Sequence, residues 1–155
     1  MKKLMALVLA CVCVMTMSAC GGKQEAEVFN LDTLSAVCNA GAFSEELEEL
    51  DADTAFMLYK LADYGLSREE LTQAAVLRSA GATCEEGAVL IFSAADKAAK
   101  AADAMGDYLE GQIEGNVHSR PAEIPKLEGA VLLTRENTLL MVVANDAAAV
   151  RNLFE

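Results

Sequence analysis

The sequence predicts a single α+β domain, in which a four-stranded, mainly antiparallel sheet made of two β-β-α units carries helices packed on one face. Two observations lead to this prediction. The stretch 87–105 reads as a buried strand, a polar cap and an amphipathic helix, and 138–154 repeats the same order. The chain also has 155 residues, which is room for one domain.

Short helices precede the sheet in this interpretation. Residues 29–40 place apolar side chains at helical spacing and are followed by Gly41, a residue type common just after a helix. Residues 44–51 are strongly acidic but lack the ligand spacing of an EF-hand, so a solvated acidic face is expected there. A second short helix is expected at 53–59, and 67–70 has the pattern of a capping box.

Four strands follow, and they are expected at 73–79, 88–92, 130–134 and 139–143. The second strand shows no alternation of apolar and polar residues, which is typical of a strand buried on both faces. A three-residue loop is expected between the last two strands, with Asn137 able to take the left-handed conformation.

A long helix is expected from Asp96 to about residue 117, between the two pairs of strands. Its apolar positions recur in steps of three and four and define one buried stripe, formed by Ala98, Ala102, Met105, Leu109 and Ile113. Pro121 ends the helical pattern, and Asn145 or Asp146 is expected to cap a last helix.

The N-terminus has the layout of an export signal. Two lysines precede the apolar run 4–17, which falls short of the length that a spanning helix needs. The sequence Met-Ser-Ala-Cys at 17–20 resembles the bacterial lipobox, in which the cysteine receives a diacylglyceryl group. An ordinary cleaved secretion signal or an uncleaved anchor is the alternative.

The lipobox interpretation makes Cys20 the lipidation site, with acyl chains such as palmitate holding the protein to the outer face of the cell membrane. The boundaries that follow are a lipoprotein signal peptide at 1–19, a lipid-anchored tether at 20–27 and a single domain at 28–155.

The charge of the chain argues against two classes of partner. The formal net charge is −12 and the pI is about 4.4, whereas nucleic acids and anionic lipid surfaces both require basic clusters. The chain has no Trp and only 5% aromatic residues, which leaves little material for a platform that stacks bases or sugars.

Two cysteines remain after the signal and the lipidation site, namely Cys38 and Cys84. An exported protein with an even number of cysteines is compatible with a disulfide between them. The alternative is a pair of small buried apolar side chains. No Cys or His spacing supports zinc, so neither a metal nor another cofactor is expected.

No catalytic constellation emerges from the residue pattern. His118 is the sole histidine, and its neighbour Ser119 is a poor partner for it because residues adjacent in sequence rarely form a triad. Cys84 lies beside two glutamates that oppose thiolate formation. The chain has 24 acids, too many to single out a carboxylate pair.

Several segments resemble a known family. These are residues 78–86 (RSAGATCEE), followed by Ala88 and Val89, and residues 121–131 (PAEIPKLEGAV). They are similar to the domain-of-unknown-function family four-three-five-eight, lipoproteins of Clostridia and related Gram-positive bacteria. The resemblance covers most of residues 50–155 and implies a lipid-anchored layout. The family has no established activity, so the resemblance supplies no catalytic residues.

The sequence therefore predicts an extracytoplasmic lipoprotein that binds a partner or assists another envelope protein without catalysis. The alternatives are an envelope hydrolase that uses acidic residues and a lipoprotein that captures a small ligand. Recognition is expected on the loops and faces, at 45–53, 59–64 and 121–127, where Tyr59 or Tyr64, Arg78 and Lys126 could line a pocket or a partner surface.

Overall fold

The computed structural model describes residues 27–155. The predicted signal peptide, the lipidation site Cys20 and nearly all of the tether lie outside the described residues. No helix within the described part is both long and apolar enough to cross a membrane.

Five α-helices and five strands make up the described chain. The helices are α1 (Thr33–Asn39), α2 (Ala52–Leu58), α3 (Ala95–Asn116), α4 (Ile124–Glu128) and α5 (Ala147–Phe154). The strands are β1 (Glu48–Leu50), β2 (Leu71–Arg78), β3 (Glu86–Phe92), β4 (Val131–Arg135) and β5 (Thr138–Val143). Single 3-10 turns occupy Leu61–Tyr64, Arg68–Glu70 and Pro121–Glu123.

The strands form one antiparallel sheet in the order β1-β2-β3-β5-β4. The predicted α+β class and antiparallel sheet are confirmed, but the prediction of four strands is wrong. The fifth strand is β1, which lies inside the acidic run and pairs Glu48 with Arg78 and Leu50 with Val76. Its acidic side chains stay in solvent while its backbone pairs with β2, so the composition of this segment concealed the strand.

Helices cover both faces of the sheet, which corrects the prediction of helices on one face only. One face packs against α2 and α3 through residues such as Leu90, Phe92 and Met141. The other packs against α1 and α5 through residues such as Val89 and Leu140. Because β3 and β5 are buried along almost their whole length, they present apolar side chains to both sides, and each side needs a cover.

Local signals explain several element ends. The predicted capping box is confirmed, since Ser67 and Glu70 bond reciprocally at the turn Arg68–Glu70. Asp146 caps α5 by accepting from the backbone N–H of Ala149. By contrast, Asp96 does not cap α3; it lies in the first turn, where a negative charge is favourable.

The β4–β5 turn differs from its prediction in length and in backbone. Arg135 pairs with Thr138, so the loop has two residues, and Glu136 rather than Asn137 takes the positive φ, at 50°. The side chain of Asn137 instead donates to the carbonyl of Phe92 at 2.6 Å. That contact holds the turn against the end of β3.

Candidate functional site

Two neighbouring glutamates lie buried where the chain enters β3. Glu85 is 0% exposed and Glu86 is 3% exposed, although charged side chains are almost never fully buried unless they are paired. Adjacent residues of an extended chain point to opposite faces, and these two carboxylates have entirely different partners.

Glu86 is held by three donors from three different elements. The hydroxyl of Tyr59, after α2, donates to Oε1 at 2.5 Å, and the hydroxyl of Tyr108 on α3 donates to Oε2 at 2.7 Å. The Nε of Arg78 on β2 donates to Oε2 at 3.2 Å. Burial outweighs these hydrogen bonds and raises the pKa of Glu86.

Glu85 is held by the segment that follows α1 and by α4. Ser44 donates to it twice, from its backbone N–H at 2.7 Å and from its hydroxyl at 2.5 Å. The Nζ of Lys126 donates at 2.8 Å. Burial opposes the charged form, but the hydrogen bonds from Lys126 and Ser44 outweigh it and lower the pKa of Glu85.

The glutamates therefore have opposite pKa shifts, as an acid and a base of one site can have. Both also border a cleft of about 220 Å³ beside Arg78 and Arg120. Each of their four carboxylate oxygens, however, already accepts a hydrogen bond from the protein. This arrangement joins secondary-structure elements to one another and leaves the two carboxylates without a common reacting atom.

A larger cleft of about 590 Å³ lies between the 3-10 turn Leu61–Tyr64 and α3. All three tyrosines of the chain line it, namely Tyr59, Tyr64 and Tyr108. The rings of Tyr59 and Tyr108 meet edge to face with centroids 5.1 Å apart. Lys60, Asp63 and Asp107 supply the charged groups of the lining. We call this space the tyrosine cleft.

Hydrogen bonds, burial and nearby charges raise the pKa values of all three tyrosines in this cleft. Tyr64 donates to Asp107, and that bond, together with burial and the nearby aspartates, raises the pKa of Tyr64 to about 12. Burial, followed by the charge of Glu86, raises the pKa values of Tyr59 and Tyr108 as well. All three phenols therefore stay protonated at neutral pH and act as donors to carboxylates.

A second concave surface follows the free edge of the sheet beside β1. One part, of about 310 Å³, lies between α1 and β2, and a smaller part of about 230 Å³ continues past Phe43. Cys38 and Leu77 border both parts. Together with the outer side of β1, we call this surface the edge groove. Its acidic members include Glu45, Glu46 and Glu49.

The structure places the sequence candidates in different surroundings. Tyr59 and Tyr64 lie in the tyrosine cleft, whereas Arg78 and Lys126 bind the two buried glutamates. His118 is exposed just after α3, and the Ser119 hydroxyl donates to the carbonyl of Gly115, not to His118.

Cys38 and Cys84, for which a disulfide was one of two interpretations, both carry free thiols in the structure. Cys38 is exposed on α1. Cys84 is half-buried, and burial raises the pKa of its thiol. Its backbone N–H donates to Glu123 at 2.9 Å. Among residues 27–155, no group of three or more His, Cys, Asp or Glu side chains is arranged to hold a metal ion.

Sequence reasoning did not identify Glu85, Glu86 or Tyr108 as residues of interest. The two glutamates lie between the predicted strands 73–79 and 88–92, and Tyr108 lies in the predicted long helix but outside its apolar stripe. One signal was available, because β3 is apolar throughout except at its first residue, Glu86, and a charge that opens a fully buried strand requires partners.

Comparison of the chain with protein-family models, curated proteins and solved structures returned no match. The resemblance of residues 78–86 and 121–131 to the uncharacterised lipoprotein family therefore stays a prediction made from those residues. The function must be argued from the geometry and charge of the chain itself.

Proposed function

We propose that this chain is an exported, lipid-anchored accessory module that binds an extended, basic segment of another envelope protein at the edge groove. The observation that carries the proposal is the combination of a strand edge, an apolar groove and unpaired acidic side chains at one place on the surface. The N-terminal sequence supplies the anchor, through Cys20.

The first supporting feature is the backbone of β1. β1 is the terminal strand of the sheet, and within residues 27–155 no strand pairs with its outer side. An unpaired edge offers N–H and C=O groups to an extended peptide, which can add to the sheet as a further strand. Such addition supplies affinity through the main chain and requires side-chain pockets for specificity.

The second supporting feature is the apolar lining of the edge groove. The edge groove runs beside β1 and is lined on one side by Leu31 and Leu34 and on the other by Ala75 and Leu77. Leu31 remains 42% exposed. Alternate side chains of an added strand would point toward this apolar lining, whereas the other edge strand, β4, packs beside α3 and α5.

The third supporting feature is the negative charge on and beside β1. Glu46, Glu48 and Glu49 form no salt bridge within the described part of the chain. A short, charged edge strand discourages pairing with copies of itself and with other acidic segments. It selects a basic partner by complementarity, which increases the association rate and suppresses wrong partners. The segment that fits is therefore rich in Lys or Arg, and these residues alternate with apolar ones.

Site-specific photo-crosslinking in cells tests this proposal. A photo-reactive amino acid at position 48, on the exposed edge, should capture a protein that the same residue at position 110, on the exposed face of α3, does not. The double charge reversal Glu46→Lys and Glu49→Lys, made with the probe still at position 48, should abolish that capture, and the captured peptide should be basic. Capture that is equal at both positions, or that survives the charge reversal, contradicts the proposal.

The anchor is tested separately. Cys20→Ser should remove the acceptor of the lipid and move the protein from the membrane fraction to the medium, or stall its processing. An unchanged membrane fraction would exclude lipidation at Cys20. The crosslinking result at position 48 concerns the folded domain, so the two parts of the proposal can fail independently.

A further inference from the structure

The tyrosine cleft brings every tyrosine of the chain to a single place. The chain has three tyrosines and no Trp, and the fold brings all three to one concave surface of about 590 Å³. Ligand sites in proteins fall in this range of volumes and combine apolar or aromatic walls with a few polar groups. Tyr59 and Tyr64 are near neighbours in sequence, and the tertiary structure brings Tyr108 on α3 to them.

The hydrogen bonds that the three tyrosine hydroxyls already make exclude ligands that would need them as donors. The hydroxyls of Tyr59 and Tyr108 are bound to Glu86, and that of Tyr64 is bound to Asp107. The phenols therefore have no free donor to offer to a sugar or to an anion. Tyr59 is only 1% exposed, so what remains for a ligand is the half-buried rings of Tyr64 and Tyr108 and the acceptor oxygens of the aspartates.

Aromatic rings and carboxylates together favour one chemistry. The negative face of a tyrosine ring attracts a cation, and recognition of ammonium ligands commonly uses such rings. Asp63 lines the cleft and forms no salt bridge within residues 27–155, and Asp107 also lines it. We propose that the tyrosine cleft binds a small organic ammonium ion. This site is separate from the edge groove and does not depend on it.

Lys60 lines the same cleft and carries the same charge as the proposed ligand. Its presence weakens binding through repulsion between like charges, and it also gives the proposal a test with a definite sign. Removal of this charge should strengthen the binding of a cation, whereas it would weaken the binding of an anion. The substitution Lys60→Gln removes the charge and keeps much of the side-chain length.

Intrinsic fluorescence reads this site directly, because every tyrosine of the chain lines the cleft and no Trp masks the signal. The full chain, in a polyoxyethylene detergent, is titrated with choline and with n-butylammonium. Their neutral counterparts, 3,3-dimethylbutan-1-ol and butan-1-ol, have similar shapes and no charge. Methyl α-glucoside tests whether the cleft binds a sugar instead of a cation. A saturable response to at least one ammonium ion, and to none of the neutral compounds, is expected.

Variants then assign the response to the cleft. Asp63→Asn should weaken binding roughly three- to fivefold and Lys60→Gln should strengthen it about twofold, as expected for charges near the surface. Asp32→Asn, beside α1, changes the charge equally at a distant place and should leave binding unchanged, as should Glu48→Lys at the edge groove.

Four results would overturn the inference: no saturable response to either ammonium ion, an equal response to a neutral counterpart, a response to the glucoside alone, or equal losses in Asp63→Asn and Asp32→Asn. The double charge reversal Glu46→Lys and Glu49→Lys at the edge groove separates this outcome from the partner-binding proposal. If it abolishes capture in cells and the same variant still binds choline, the two sites act independently.

Discussion

Glu85 and Glu86 are adjacent in sequence and almost equally inaccessible, yet their environments shift their pKa values in opposite directions. Glu85 is bound by a full cation, Lys126, and by two donors of Ser44. Glu86 is bound mainly by neutral phenols, with Arg78 at a longer distance. Depth and donors therefore act together: Glu86 lies deeper in the protein and its shortest hydrogen bonds come from neutral phenols, so burial wins there, whereas the hydrogen bonds from Lys126 and Ser44 win at Glu85.

The largest effect is expected at Glu86. Glu86→Ala would leave the buried hydroxyl of Tyr59, the half-buried hydroxyl of Tyr108 and Arg78 without this acceptor and should lower the free energy of unfolding by about 3–4 kcal/mol. Urea denaturation measures this change. Glu86→Gln keeps an acceptor and should cost less, and Glu48→Ala on the exposed edge should stay within about 0.5 kcal/mol. Equal effects at positions 86 and 48 would show that the network does not stabilise the fold.

A somewhat smaller loss of stability is expected when Glu85 loses its cation, Lys126. Lys126→Met removes the cation from a carboxylate that is 0% exposed and should cost about 2–3 kcal/mol, since Ser44 still donates to Glu85. Denaturation of the single variant and of the double variant Lys126→Met with Glu85→Gln checks the cause. The double variant should recover part of the loss, because no buried charge then remains unpaired. No recovery would mean that Lys126 acts through packing alone.

The smallest expected effect is on the pH dependence of stability, and it distinguishes the two glutamates by its sign. Glu85 ionises in the folded state below its ordinary pKa of 4.5, so its contribution to stability is present above that pH and is lost as the pH falls. Glu86 ionises above 4.5 in the folded state, so the unfolded chain ionises first and stability falls as the pH rises through that interval.

The difference in free energy of unfolding between the wild type and each Gln variant isolates these two contributions. With rising pH, the wild type should gain stability relative to Glu85→Gln below pH 4.5 and lose stability relative to Glu86→Gln above it. Denaturation at a series of pH values measures both differences. Changes of the same sign in both variants would contradict the assigned environments.

Strong local patterns made the central elements predictable. The unbroken apolar run of β3, the extent of α3 and the capping box at Ser67 all appear in the structure close to where the sequence predicts them. Of the predicted stripe of α3, Ala98 and Met105 are buried, and the prediction omitted the buried Ala101 and Ala104. β1 was missed because it has three residues and is largely acidic, and short strands at an edge are determined by pairing rather than by composition. The cover on the second face was missed because α1 is distant in sequence from the strands it covers.

Periodicity and composition were enough to predict the fold class, the buried centre of the sheet and the acidic character of the surface. The way in which polar side chains combine could not be predicted from such patterns and follows from the folded chain. The tertiary structure brings Tyr59, Tyr108 and Arg78 to Glu86, and it places all three tyrosines in one cleft. Such combinations depend on contacts between residues far apart in the chain, whereas a periodic pattern reports only on near neighbours.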